Sequence, residues 1–216
     1  DLLVHEIKSR EEKGLSPQQK RLLAISYLQL GFFSDAETWL TVAIEENSSD
    51  ASLRINQGLC YFKMGKFRKA LDAFDQALRL DSDSRPARLN RALILEKLER
   101  FKEAKSVYTE LIERGDTSAE MYFNFGNLCM AMADYGSANR AFESALTLNP
   151  DNANIWYSLG NTWAILSKNS KAIDAYQACL RLDSNHVRAM QSLGALLLEI
   201  GDPKLAREIL KRAASF

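Results

Sequence analysis

Gly65-Lys66-Phe67-Arg68-Lys69-Ala70 is echoed by Glu99-Arg100-Phe101-Lys102-Glu103-Ala104, and again by Ala133-Asp134-Tyr135-Gly136-Ser137-Ala138. The three stretches stand 34 residues apart, and extending that period outward gives frames that start at Pro17, Ala51, Arg85, Ala119, Ala153 and Val187. A fixed period of this size marks stacked supersecondary units. Two columns test the register. The eighth position of each frame reads Ala24, Gly58, Ala92, Gly126, Gly160 and Gly194, and the twentieth reads Ala36, Ala70, Ala104, Ala138, Ala172 and Ala206. Only side chains of methyl size or less let two helix backbones approach closely, so these columns predict one tight crossing per frame. Bulkier residues fill the eleventh column (Tyr27, Tyr61, Leu95, Cys129, Trp163, Leu197) and the twenty-fourth (Leu40, Phe74, Tyr108, Phe142, Tyr176, Leu210).

Each frame reads as two helices. In the frame from Ala51, the small or apolar residues Gly58, Tyr61 and Phe62 keep a 3.6-residue period, Gly65 stops the helix, and Phe67 to Leu80 forms the second. The prolines agree. Pro17 follows Ser16, an N-cap that Gln19 completes as a capping box, and Pro86 and Pro203 stand at other helix starts. Pro150 falls in a loop, and none lies inside a helix, where it would cost about 3 kcal/mol. Residues 1–16 read as an N-terminal helix, with Leu3 and Ile7 on one side and Gly14 as its stop, or as the remnant of a preceding repeat. Residues 17–216 form the array, divided 17–50, 51–84, 85–118, 119–152, 153–186 and 187–216. The length then counts stacked units, with one continuous core and no domain boundary.

This pattern resembles the tetratricopeptide repeat (TPR) family, best at Trp156-Tyr157-Ser158-Leu159-Gly160-Asn161-Thr162-Trp163 followed by Ala172 and Tyr176. It departs at the fourth position, held by Lys20, Arg54 and Arg88, and at the seventh, held by Gln57 and Arg91. The resemblance implies an all-α fold: a right-handed solenoid, or superhelix, of antiparallel helix pairs whose first helices line a concave groove. It also implies a non-catalytic scaffold or adaptor that binds a partner protein or peptide there.

Composition narrows the function. The chain has 216 residues, with 28 Lys+Arg against 28 Asp+Glu, which gives no net field to draw in nucleic acid or an anionic membrane. With 46% hydrophobic and 26% charged residues it is a folding composition, not a disordered one. Cys60, Cys129 and Cys179 are far apart and read as buried thiols in a reducing cytoplasm. No apolar run approaches the roughly 18 residues of a membrane span. The opening Asp1-Leu2-Leu3-Val4-His5 has neither a signal-peptide pattern nor an initiating Met; together with a last helix that no polar capping helix follows, this suggests a piece of a longer protein. There is no P-loop, G-x-G-x-x-G, C-x-x-C or H-E-x-x-H, so we expect no enzyme, no cofactor and no metal. His5, His186 and the basic run Lys63, Lys66, Arg68 and Lys69 read as solvated surface.

The helical wheel selects the groove residues. At about 100° per residue, positions 4, 7, 8 and 11 of the first helix turn toward the core, while 2, 5, 6, 9, 12 and 13 turn away. Position 6 gives a ladder of Asn56, Asn90 and Asn124, and position 9 adds Asn127 and Asn161 beside it. A side-chain amide presents both donor and acceptor, so it matches the N–H and C=O of an extended peptide whatever its sequence; the resemblance implies this use. The alternative is solvated amides, or amides bonded within their own repeat. Ile25, Leu28, Ile55, Leu59, Phe62, Leu89 and Leu93 add apolar contacts in the first three frames, and Phe123 and Tyr157 do so later. The family's clamp for a C-terminal carboxylate is not formed: Phe123 takes its Lys place and Ser192 its Arg place, which leaves Arg188 as the groove cation. Two other readings stay open: a structural segment that self-associates through its terminal repeat, and the substrate-recognition module of a larger enzyme.

Overall fold

The computed structural model describes residues 14–115 and 118–216; the expected N-terminal helix over residues 1–13, with Leu3, His5 and Ile7, lies outside the described residues. Among the described residues there are twelve α-helices and no strand. They are α1 (Pro17–Leu30), α2 (Phe33–Glu46), α3 (Ala51–Lys63), α4 (Phe67–Leu80), α5 (Arg85–Lys97), α6 (Phe101–Glu113), α7 (Ala119–Ala131), α8 (Tyr135–Leu148), α9 (Ala153–Ile165), α10 (Asn169–Leu182), α11 (Val187–Glu199) and α12 (Pro203–Ala213). The odd-numbered helices begin at the first residue of each frame, so the fold is six helix pairs.

Local chemistry sets the helix ends. Ser16 and Gln19 form the capping box at α1, and the side chains of Asp50, Ser118 and Asp202 accept backbone N–H groups at α3, α7 and α12. Every turn inside a pair closes the same way: the sixteenth residue donates its N–H to the carbonyl of the eleventh, as Lys66 does to Tyr61 at 2.8 Å and Lys168 to Trp163 at 2.9 Å. That closure needs a left-handed residue at the fifteenth position. Gly31, Gly65 and Gly201 supply it at φ of 83°, 71° and 87°, whereas Glu99, Ala133 and Ser167 hold it at 57°, 57° and 56°.

The helices gather into two compact units, divided between Val107 and Tyr108 inside α6. In the first, α1 packs on α2 and α3 on α4, while α2 also packs on α3 and α4 on α5. In the second, α7 pairs with α8, α9 with α10 and α11 with α12, with α8 against α9 and α10 against α11. The eighth column does what its size predicts. A Cβ at Gly58 would lie 2.6 Å from the Phe74 ring, one at Gly126 2.5 Å from Phe142, and one at Gly160 2.6 Å from Tyr176. The small eighth residue is therefore the seat of the bulky twenty-fourth.

The first helices bury a second stripe that the wheel leaves unassigned. From the second frame onward the third position (Leu53, Ala87, Met121, Ile155, Ala189) and the tenth (Cys60, Ile94, Leu128, Thr162, Leu196) are buried. Leu53 and Cys60 belong to the cluster of Trp39, Leu40, Ala43 and Ile44, and Ile155 to that of Phe142 and Leu146. Within each unit, these columns dock a pair onto the second helix of the pair before it. Buried apolar residues thus form clusters that bridge one pair to the next.

In the first unit, the polar departures at positions 4 and 7 are paired internally. Lys20 meets Glu46, Arg91 meets Asp75 at 2.6 Å, and the buried Arg88 guanidinium reaches the Ser82 carbonyl and Asp83. Gln57, also buried, accepts from Arg54 at 3.2 Å.

Candidate functional site: the face of the first helices

Within the first unit α1 approaches α3 and α3 approaches α5; within the second, α7 approaches α9 and α9 approaches α11. Their outward positions therefore form one surface per unit. In the first unit it carries Ile25, Ile55, Leu59, Phe62 and Leu93, all half-buried, with Asn56 and Asn90 between them. In the second it carries half-buried Phe123, Asn124, Tyr157 and Asn161 and exposed Asn127 and Arg188.

The amides divide into two groups. Asn90 donates from Nδ2 to the carbonyl of Pro86 at 2.8 Å, within its own helix. Asn161 accepts at Oδ1 from the Tyr176 hydroxyl at 2.9 Å. For these two, an internal bond takes part of the amide. Asn56, Asn124 and Asn127 make no side-chain hydrogen bond among the described residues, so donor and acceptor are both uncommitted; Asn127 is exposed, and Asn56 and Asn124 are half-buried. Asn124 and Asn127 stand three residues apart on α7, on one side of the helix.

The aromatic members serve the core as well as the face, which corrects the wheel's assignment of position 5. Phe123 lies 5.9 Å from Phe142 between ring centroids, and Tyr157 lies 6.1 Å from Tyr176. Leu28 likewise packs on the first core cluster, and Phe62 sits 6.0 Å from Phe67. Ring size is the cause: a long side chain at position 5 covers the bulky twenty-fourth residue that the small eighth residue leaves reachable.

His186, read from sequence as plain surface, belongs to this face. Its Nδ1 accepts the Ala189 N–H at 3.1 Å, capping α11, and its ring lies 4.9 Å from that of Tyr157. With Nδ1 as acceptor, Nε2 carries the proton of a neutral ring, and it faces Asn154 Oδ1 at 3.3 Å. No motif signals this contact, because it joins the last residue of a frame to the start of the same frame, about 30 residues away. Burial pushes the Tyr176 hydroxyl beneath this cluster up to about 12. Among the described residues no group of three or more His, Cys, Asp or Glu is placed to hold a metal, and no helix is long and apolar enough to cross a membrane. The three cysteines are buried.

Tetratricopeptide repeat family models match residues 51–84, 86–114, 123–186 and 166–216. No curated protein matches the sequence. Among solved structures, the MamA protein aligns with a TM-score of 0.71 at 23% identity, over 76% of this chain and 90% of that one. YrrB, described as a TPR protein with an unusual peptide-binding site, aligns at 0.69 and 24% identity, over 82% of this chain and 91% of its own. A tetratricopeptide repeat protein from Parabacteroides merdae aligns at 0.79 and 16% identity, over 94% and 80%. At these identities the likeness is one of fold.

Proposed function

The chain belongs to the tetratricopeptide repeat family, and we propose that it is a non-catalytic scaffold whose first-helix face binds an extended segment or helix of a partner protein. The observation that carries this reading is the set of outward amides without internal partners, Asn56, Asn124 and Asn127, set among half-buried apolar side chains. Such a surface offers hydrogen bonds to a peptide backbone and contact area to its side chains. The peptide-binding site named for YrrB supports the same use of a similar fold. Cys60 and Cys179, buried thiols, fit a reducing compartment such as the cytoplasm.

The test is capture of partners from a lysate with mass spectrometry, followed by titration of the captured segment. Replacing Asn56, Asn124 and Asn127 together by Ala removes three bonds worth roughly 0.5–1.5 kcal/mol each, so affinity should fall at least about tenfold. Unchanged affinity in a folded triple variant rejects the reading. A second reading, association through the last helix pair, rests on the exposed Leu198, Ile200, Leu205 and Phe216. A strict monomer in concentrated sedimentation removes it in its self-assembling form.

A further inference from the structure

The outer side of the second unit carries two creases that neither the family nor the first-helix face accounts for. One runs between α8 and α10, with Trp156, Leu159 and Trp163 of α9 as its floor and about 360 Å³ of free space. The other lies one repeat earlier, floored by Tyr122 and Phe125 of α7, with about 420 Å³. Small residues open the walls: Ala175 and Ala178 in one crease, Ser137, Ala141 and Ser144 in the other. The aromatic floor is only half-buried, so apolar surface stays in water in two places at the same register.

The first unit shows that this fold need not leave its creases open. There Arg91, equivalent to Phe125 and Leu159, is bonded to Asp75 of the preceding helix pair, and Lys20 bridges to Glu46. In the second unit apolar residues replace these cations, and the charges stand on the walls instead: Arg140 in one crease, and Lys171 and Arg181 beside Glu143 and Asp174 in the other. Arg140, Lys171 and Arg181 are exposed and make no ion pair among the described residues. Lys171 Nζ lies 4.4 Å from the Trp163 ring centroid, which holds a positive charge at the mouth of the crease.

Charge is sorted across this unit. Its outer helices carry a surplus of four cations, one of them on α10 at a crease and three on α12, which lines neither: α8 has one Arg and one Glu, α10 two cations and one Asp, α12 four cations and one Glu. The first helices and connecting loops lean the other way, with Glu120, Glu199, Asp151, Asp183 and Asp202. We infer that the outer face of the second unit docks an acidic segment of a partner protein, which sets apolar side chains into the two creases while its carboxylates meet Arg140, Lys171 and Arg181. A nucleic acid fits less well, because the acidic loops at the ends of the helices repel a continuous polyanion.

The experiment is selection of a random 16-residue peptide display library on the whole protein, followed by fluorescence anisotropy on the selected peptides, on a 20-nucleotide single-stranded DNA, and on the chain itself labelled as ligand. The expected winners carry net negative charge and at least two large apolar residues. Their affinity should drop at least about tenfold in the variant Arg140→Glu/Lys171→Glu/Arg181→Glu, and by less than twofold in Asn124→Ala/Asn127→Ala. Four of the five positions are exposed and Asn124 is half-buried, and an unchanged thermal midpoint confirms folding. Several results overturn the inference. These are an empty selection, winners that are neutral or basic, winners indifferent to charge reversal, or DNA binding tighter than every peptide. Self-association abolished by the same reversal overturns it too, since the face then belongs to a second copy.

Discussion

Gly160 sits where a methyl group has no room, with the Tyr176 ring 2.6 Å from the place a Cβ would take. Gly160→Ala should lower stability by about 1–3 kcal/mol, even though Ala is the better helix former. Gly136, exposed on α8 with nothing near its Cβ position, should respond oppositely to Ala, gaining up to about 1 kcal/mol. Urea denaturation of both variants checks the pair. This contrast was legible before any coordinates: Gly160 stands in an unbroken column of small residues and Gly136 does not. Titration gives a second expectation at this scale. Burial pushes the Cys179 thiol up to about 11 from 9.0, and the Tyr176 hydroxyl up to about 12 from 10.0. The folded chain holds both protons more tightly than the unfolded chain, so this stability is complete below pH 9 and is lost as pH rises through 11 and 12. The urea midpoint should fall over that range, and Cys179→Ala should flatten its first part.

Between elements, the hydroxyl of Tyr176 ties α10 to Asn161 on α9. Tyr176→Phe should cost about 1 kcal/mol, and a cycle with Asn161→Ala should be non-additive, which equilibrium unfolding of the four proteins measures. Additive behaviour would mean that the bond contributes nothing. A wheel drawn for one helix located the stripe facing its own partner but not the stripe at Leu53, Cys60, Ile155 and Thr162, because a single period carries no information about the preceding pair. For the same reason it assigned Phe123 and Tyr157 wholly to the open face. A ring at position 5 reaches Phe142 or Tyr176 through the gap left by the small eighth residue, and that gap is visible only when both columns are considered together. The amides were legible as residues, but the bonds that occupy Asn90 and Asn161 depend on local geometry that spacing does not encode.

At the scale of the molecule, a net charge of zero conceals an uneven distribution. α2 carries Asp35, Glu37, Glu45 and Glu46 and no cation, whereas α12 carries four cations and one Glu. The pairs are held by neighbours alone, so opening should be local and graded rather than all-or-none. Hydrogen exchange followed by mass spectrometry should find amides of α1 and α12 exchanging fastest, and those of α3 and α4 in one unit and α9 and α10 in the other slowest. Uniform protection along the chain would contradict this. The left-handed turns at Glu99, Ala133 and Ser167 bear on how such a protein changes over time. Each holds an L-residue where Gly serves in the other three pairs, at a cost of roughly 1–2 kcal/mol that a Gly would relieve, less the entropy it adds to the unfolded chain. The three positions are an unspent reserve of stability, and none of them is a contact residue of either proposed binding face. Drawing on it would let those faces accept destabilising substitutions and acquire new partners while the array stays folded.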